Sequence, residues 1–123
     1  LINADLLRNT SLRPGDIVLV CTGKSKYFGE KSYFEDFPEV SLGFAELLIK
    51  SGISILGLDT PSPDRAPFTV HEALLDKEVL IMENLCHLEQ LIGVKSFEVI
   101  CLPVKLDSDS APVRALAITD TSV

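Results

Sequence analysis

Two apolar runs without polar alternation dominate the hydrophobic pattern of the chain. One extends from Ile17 to Cys21 and the other from Ile53 to Leu58, and both contain β-branched residues. Short runs of this kind predict strands that are buried on both faces, as in parallel sheets covered by helices. We therefore expect neither run to lie at a solvent-facing edge of the sheet.

Helical periodicity and turn residues mark the other elements. Ser41 is a candidate N-cap for a helix over residues 41–51, which Gly52 would end. The last two predicted strands are joined by a short polar turn, which favours antiparallel pairing. The pattern predicts an α/β domain with one mixed β-sheet and flanking helices, and no linker or repeat divides residues 1–123 into more than this single domain. The remaining predicted elements are a helix from Asn3 to Leu7, helices over 70–77 and 84–91, and strands over 79–82, 97–106 and 113–119.

Residues 23–40 are predicted to form a long loop in which glycine, serine and charged residues are mixed with aromatic ones. Long loops in compact domains are usually functional or disordered, so this segment is a candidate part of a site. Its aromatic residues are Tyr27, Phe28, Tyr33, Phe34 and Phe37.

Composition and charge restrict the classes of protein to which the chain can belong. Hydrophobic residues make up 46% of the chain and charged residues 24%, which suits a packed core. The net charge of −7 argues against nucleic acid as a partner, because such binding usually needs a basic face. No apolar run approaches the roughly 18 residues that span a membrane. The three cysteines form no Cys-x-x-Cys pair, which favours reduced thiols in a cytoplasmic protein.

His71 and Glu83 are the residues from which a site is most readily built. A helix that begins near His71 descends roughly 9 Å over six residues. The strand that ends at Glu83 climbs back roughly 13 Å over four steps. Both side chains should therefore reach the same end of the sheet, beside the loop over residues 59–64. A neutral imidazole and a carboxylate at one point suit Zn²⁺ or Mn²⁺.

The spacing alone leaves a second interpretation of this pair open. A histidine at a helix start is often a capping or hydrogen-bonding residue, and Glu83 could be a strand end held by a salt bridge. Two ligands are also fewer than the three protein residues that usually bind a catalytic zinc ion. His87, one helical turn beyond Glu83, is predicted to be structural or exposed.

Four groups of motifs follow one another along nearly the whole chain. In their order they resemble the motifs of the cyclase family of metal-dependent hydrolases, which includes kynurenine formamidase. The match corresponds to the C-terminal two-thirds of such an enzyme. The motifs are Gly15-Asp16 with an apolar strand and Thr22-Gly23; Gly57-Leu58-Asp59-Thr60-Pro61-Ser62-Pro63-Asp64; Val70-His71 and Leu74-Leu75 with Met82-Glu83-Asn84-Leu85; and Pro103-Val104-Lys105 with Ala111-Pro112-Val113-Arg114-Ala115.

The resemblance implies a swivelling β/β/α fold that is incomplete at the N-terminus. It implies hydrolysis of a small-molecule amide, of the arylformamidase or cyclic amide class. Zn²⁺ or Mn²⁺ would be the cofactor, with His71 and Glu83 as ligands. The loop that carries Asp59, Ser62 and Asp64 would bind substrate, and the aromatic loop would cover it. No catalytic residue is assigned in this chain.

One part of the family pattern has no match in the chain. The leading motif of the family, His-x-Gly-Thr-His-x-Asp followed by a further histidine, supplies the other metal ligands and a residue for proton transfer. We therefore expect the chain by itself to be inactive, and to expose apolar surface that leads to a homo-oligomer. The alternative is a catalytically inactive cyclase-like fold that serves as a binding or structural module.

Overall fold

The structure, a computed structural model, describes residues 1–119. The chain divides into two compact units, Leu1–Glu89 and a second one that begins at Gln90. Two compact units can belong to one domain, so the single-domain assignment stays a prediction. In chain order the elements are β1 (Ile17–Val20), α1 (Lys31–Glu35), α2 (Leu42–Ser51), β2 (Ile55–Leu58), α3 (Thr69–Leu75), β3 (Leu80–Met82), β4 (Phe97–Pro103) and β5 (Val113–Thr119), with 3-10 turns at Ala4–Leu7, Lys24–Tyr27 and Leu88–Leu91.

The first unit contains a three-stranded parallel sheet with β2 at its centre. β1 pairs with β2 in the register Ile17↔Ile55, and β2 pairs with β3 in the register Ile55↔Leu80. Parallel neighbours need crossover connections, which here contain α2 and α3. Since the three strands point the same way, the residues that follow β2 and β3 lie at the same end of the sheet, the end formed by the carboxyl ends of the strands.

Helix α2 forms as the sequence predicts. The Ser41 hydroxyl accepts a hydrogen bond from the Phe44 N–H, and Gly52 ends the helix in a left-handed conformation with φ of 71°. One face of the helix enters the core of the first unit, where it packs with apolar residues of β2 and α3. The buried core residues are Ile2, Val40, Phe44, Ala45, Leu48, Ile53, Leu56, Leu58, Val70, Leu74 and Val79. None of the helices in residues 1–119 is long and apolar enough to cross a membrane.

Strand β1 lies at an edge of the parallel sheet, which differs from the prediction. All four of its residues are half-buried, whereas most of β2 is buried. Within residues 1–119 no strand pairs with the outer edge of β1, so the expectation that this run does not lie at an edge of the sheet is wrong. An apolar run requires cover but does not specify which segment supplies it. A groove of about 390 Å³ lies against the strand, lined mainly by Leu6, Leu7, Leu12, Val18, Val20 and Phe44.

The second unit contains a two-stranded antiparallel sheet of β4 and β5, whose register runs from Phe97↔Thr119 to Pro103↔Val113. The predicted antiparallel pairing and the α/β class are confirmed. β4 ends at Pro103, which has no N–H to donate, rather than at Leu106. The five strands lie in two sheets instead of the one mixed sheet predicted, because an apolar pattern identifies strands without identifying their partners.

Residues 84–91 do not form the predicted helix. Asn84 and His87 have left-handed backbone, with φ of 58° and 61°, and such residues interrupt a right-handed helix. Only Leu88–Leu91 forms a 3-10 turn. Leu85 and Leu88 nevertheless pack inward. Their spacing therefore reflects burial, which a non-helical segment also achieves.

Replacement of Gly57 by alanine is expected to destabilise the first unit by about 1–3 kcal/mol through overpacking. An added Cβ would lie 2.6 Å from a methyl carbon of Leu19 and 2.8 Å from one of Leu85. The matched control is Gly43→Ala in α2, where an added Cβ meets no atom within 4 Å. Urea denaturation of the two variants measures the difference. Equal midpoints would contradict the close packing of Leu19 and Leu85 over the centre of β2.

Candidate metal centre

The His71 ring is held by the carboxylate of Asp64. Asp64 Oδ1 lies 2.5 Å from His71 Nδ1, and Asp64 Oδ2 accepts a hydrogen bond of 2.7 Å from the N–H of Val70. Asp64 is 5% exposed, so water offers little competition for its oxygen atoms. A carboxylate that has lost its hydrogen-bond donors costs much free energy when it is buried, which keeps this arrangement in place.

The other ring nitrogen of His71 points at Glu83. His71 Nε2 and Glu83 Oε1 are 3.3 Å apart, and each side chain is about one-third exposed or less. Glu83 follows β3 directly, while His71 lies in the third position of α3. The two side chains therefore meet as the helix-and-strand arithmetic predicts, at a separation within the roughly 3–4 Å expected for two ligands of one ion. Their role in metal binding stays a prediction.

The electrostatics of this cluster favour a bound cation. Burial is the largest effect and raises the pKa of the Glu83 carboxyl above its ordinary value. The contact with His71 lowers this pKa in part, and the negative charge of Asp64 raises it by the smallest of these effects. Two carboxylates thus flank a single imidazole, and a divalent ion between His71 and Glu83 would compensate the excess negative charge.

Asp59, predicted to bind substrate, forms hydrogen bonds within the protein. Its Oδ1 accepts from the Thr22 N–H and the Thr22 hydroxyl, at 2.9 and 2.6 Å, and its Oδ2 accepts from the Gly23 N–H at 2.7 Å. Asp59 is 1% exposed. These contacts tie the segment after β1 to the end of β2. Substrate contact by Asp59 stays a prediction that its burial does not favour.

Ser62 and Asp64, the other two residues predicted to bind substrate, are bonded to each other and to their surroundings. The Ser62 hydroxyl donates a hydrogen bond of 2.7 Å to the backbone carbonyl of Asp64. Both oxygen atoms of the Asp64 carboxylate contact His71 or Val70. The loop therefore shapes the position of His71, a role that the sequence motif did not reveal.

Two aromatic residues border the cluster. Sequence reasoning missed Phe68, whereas Tyr33 belongs to the aromatic loop that is predicted to cover the substrate. Phe68 is half-exposed and lies edge-on to the His71 ring, with centroids 5.6 Å apart. Its φ of 63° is unusual for a bulky residue and fixes the ring at the start of α3. Tyr33 is fully buried and donates its hydroxyl proton to the side-chain oxygen of Asn84, the residue after Glu83. Burial raises the pKa of the Tyr33 phenol, as do the charges of Asp59 and Glu83, so the phenol remains a donor.

The described residues supply an incomplete set of metal ligands. In residues 1–119 no group of three or more His, Cys, Asp and Glu side chains is arranged to hold a metal ion. His71 Nε2 and Glu83 Oε1 are two donor atoms of the types that zinc and manganese accept. The pair fits as part of a metal site, and Asp64 fits as the hydrogen-bond partner of a ligand. His87 is not part of the cluster, since its side chain is 71% exposed and faces Glu89.

Comparisons with known proteins identify the family of the chain. The family model Cyclase, described as "Putative cyclase", matches residues 2–65, slightly more than half of the chain. The chain belongs to the Cyclase family. An uncharacterized protein of Methanocaldococcus jannaschii is 40% identical over 119 residues, which cover 95% of this chain and 61% of the relative. A kynurenine formamidase of Bordetella petrii is 34% identical over 86 residues, which cover 67% of this chain and 40% of that enzyme.

The structural comparison extends over almost the whole chain. A solved member described as "The Structure Of Potential Metal-Dependent Hydrolase With Cyclase Activity" superimposes with a TM-score of 0.78 and 28% identity. The match covers 96% of this chain and 58% of that structure. The chain thus spans between about two-fifths and three-fifths of the Cyclase-family relatives that it matches.

Proposed function

We propose that this chain is part of a metal-dependent hydrolase of amide-type bonds, in which His71 and Glu83 are two of the metal ligands. The observation that carries the proposal is the 3.3 Å approach of His71 Nε2 to Glu83 Oε1, with the opposite ring nitrogen already bonded to Asp64. Membership of the Cyclase family supports the reaction class, as do relatives that are named kynurenine formamidases.

Zn²⁺ or Mn²⁺ is the proposed cofactor. When bound, such an ion supplies an activated water and polarises the carbonyl of the substrate. The remaining ligands would come from residues other than the two assigned here. The family likeness to structures described as metal-dependent hydrolases supports a divalent ion without identifying it.

The other residues of the cluster serve to orient and to cover the reacting groups. Asp64 Oδ1 contacts His71 Nδ1, so that the other nitrogen of the ring faces Glu83. Phe68 offers a half-exposed aromatic surface beside His71, where the ring of an aryl amide would find an apolar contact. A small-molecule aryl formamide or cyclic amide is therefore the proposed class of substrate.

A second copy of the chain is the proposed partner. The half-buried edge of β1 and the groove along it support association, since an unpaired strand edge is a template for pairing with another chain. The homo-oligomer remains a proposal that follows from the exposed surface alone.

A catalytically inactive binding or structural module is the second candidate function. Its support is that residues 1–119 contain no complete group of metal ligands. The intact mass of the expressed protein and the gene sequence upstream of Leu1 discriminate between the two candidates. A His-x-Gly-Thr-His-x-Asp motif upstream would favour the enzyme.

An assay of amide hydrolysis tests the proposed function. Residues 1–123 alone are expected to show no turnover of an N-formyl aryl amine or of isatin, with or without added Zn²⁺ or Mn²⁺. The complete gene product is expected to hydrolyse one of these substrates and to lose that activity when a chelator removes the metal. Turnover by residues 1–123 alone, above a metal-free control, would show that no further ligands are needed. A complete product that binds metal but cleaves neither substrate would contradict the proposed reaction.

A further inference from the structure

We propose that Asp64 is a positioning residue that acts through His71, by fixing the imidazole in the tautomer that carries its proton on Nδ1. This inference rests on the proposed function, because it concerns how His71 is prepared as a ligand. It assigns Asp64 a role different from the substrate contact that its motif suggested.

Contacts other than the one with His71 fix the position of Asp64. Its Oδ2 accepts the N–H of Val70, and Val70 is 2% exposed in the core of the first unit. The backbone carbonyl of Asp64 accepts the hydroxyl of Ser62. Asp64 is thus anchored to the same helical turn that carries His71, and its Oδ1 is directed at the ring.

The chemistry of the two groups determines where the proton lies. An ionised carboxylate only accepts hydrogen bonds, whereas a neutral imidazole has one N–H and one bare nitrogen. A separation of 2.5 Å between Asp64 Oδ1 and His71 Nδ1 therefore places the proton of a neutral ring on Nδ1. Nε2 also faces a carboxylate, but Glu83 Oε1 is 3.3 Å away, so Asp64 is the closer acceptor for the single proton of a neutral ring. Nε2 then keeps the lone pair that a cation would use. Without Asp64 the ring could also carry its proton on Nε2, where it would oppose a cation.

A purely structural role is the competing explanation for Asp64. The bond to the Val70 N–H satisfies a donor in the first turn of α3, and any residue that accepts this bond would support the helix. Such a role predicts a loss of stability when Asp64 is changed, with no change in the ring of His71. The two roles can be separated because the tautomer of the ring is measured independently of stability.

Nitrogen NMR of the metal-free protein provides the direct readout. The chain contains only His71 and His87, so two ring systems appear, and His87→Gln assigns them. At a pH of about 8.5, where imidazole is ordinarily neutral, His71 in the wild-type protein is expected to be in the Nδ1–H form. Asp64→Asn is expected to move His71 towards the Nε2–H form. The matched control is Asp76→Asn, the same substitution at an exposed position at the end of α3.

Calorimetric titration with Zn²⁺ is the second readout, performed on the complete gene product. Asp64→Asn is expected to weaken Zn²⁺ binding by about 10–100-fold, the usual effect of removing the partner of a ligand histidine. Asp76→Asn should bind Zn²⁺ like the wild type. An unchanged His71 tautomer in Asp64→Asn, or unchanged Zn²⁺ affinity, would overturn the proposed role. If His71→Ala binds Zn²⁺ as well as the wild type, the metal assignment fails, while the NMR result still decides whether Asp64 fixes the ring.

Discussion

Replacement of Asp59 by alanine is expected to lower the free energy of unfolding by about 3 kcal/mol and the melting temperature by roughly 10–20 °C. Asp59 is almost completely buried and accepts three hydrogen bonds, two from Thr22 and one from Gly23. Hydrogen bonds to charged groups each contribute about 1.5–3 kcal/mol, and alanine would leave all three donors without this acceptor. Part of the loss is offset by water, since Thr22 and Gly23 are only half-buried.

Thermal denaturation compared with the control Asp76→Ala measures this effect. Asp76 is exposed, so its replacement should change the free energy of unfolding by no more than about 0.5 kcal/mol. If Asp59→Ala melted like the control but raised the KM of the complete enzyme, Asp59 would contact substrate as its motif suggests. The large loss of stability is the outcome that the observed hydrogen bonds predict.

Replacement of Glu83 by glutamine is expected to weaken metal binding by more than the roughly 10–100-fold typical of residues that merely support a ligand. It should remove most activity of the complete gene product. The metal-free protein, in contrast, should become more stable at neutral pH. The reason is that burial raises the pKa of the Glu83 carboxyl, so the ionised form is less favourable in the folded protein than in the unfolded chain.

The dependence of this stability difference on pH follows from the direction of the shift. A group whose pKa is raised on folding binds its proton more tightly in the folded state. Its contribution to stability is complete below the ordinary glutamate pKa of about 4.3 and is lost as the pH rises through the higher value of the folded state. Glutamine never ionises, so the advantage of Glu83→Gln should appear at pH 7 and disappear near pH 4.

Melting temperatures in the presence of a chelator, measured across this pH range, test the expectation for Glu83. Glu83 would instead be a structural residue if Glu83→Gln lowered the melting temperature of the metal-free protein as well as the activity of the complete gene product. Its contact with His71 would then be a salt bridge that holds the end of β3, the second interpretation that the sequence spacing leaves open.

The sequence predicted the features that depend on local chemistry. The apolar run that becomes β2, the helix between Ser41 and Gly52, and the antiparallel pairing of β4 with β5 all follow from periodicity and capping residues. The approach of His71 to Glu83 was also predictable, because the rise per residue of a helix and of a strand is fixed by backbone geometry.

The features that the sequence did not predict depend on contacts between distant segments. The apolar residues of β1 indicate a buried strand, but burial of its outer edge depends on a neighbour that the pattern cannot name. The leucines after Glu83 have helical spacing, yet left-handed backbone at Asn84 and His87 prevents a helix. The motif assigns Asp64 to the substrate, whereas its hydrogen bond to His71 depends on how the loop packs against α3, which the sequence does not specify.

Anomalous diffraction from crystals of the complete gene product soaked in Zn²⁺ tests the central claim, that His71 and Glu83 hold one divalent ion, most directly. We predict a single anomalous peak with His71 Nε2 and a Glu83 carboxylate oxygen each about 2.0–2.2 Å from it. Asp64 should remain bonded to His71 Nδ1. A Zn²⁺ peak bound elsewhere, with His71 Nε2 still in contact with Glu83, would contradict the claim.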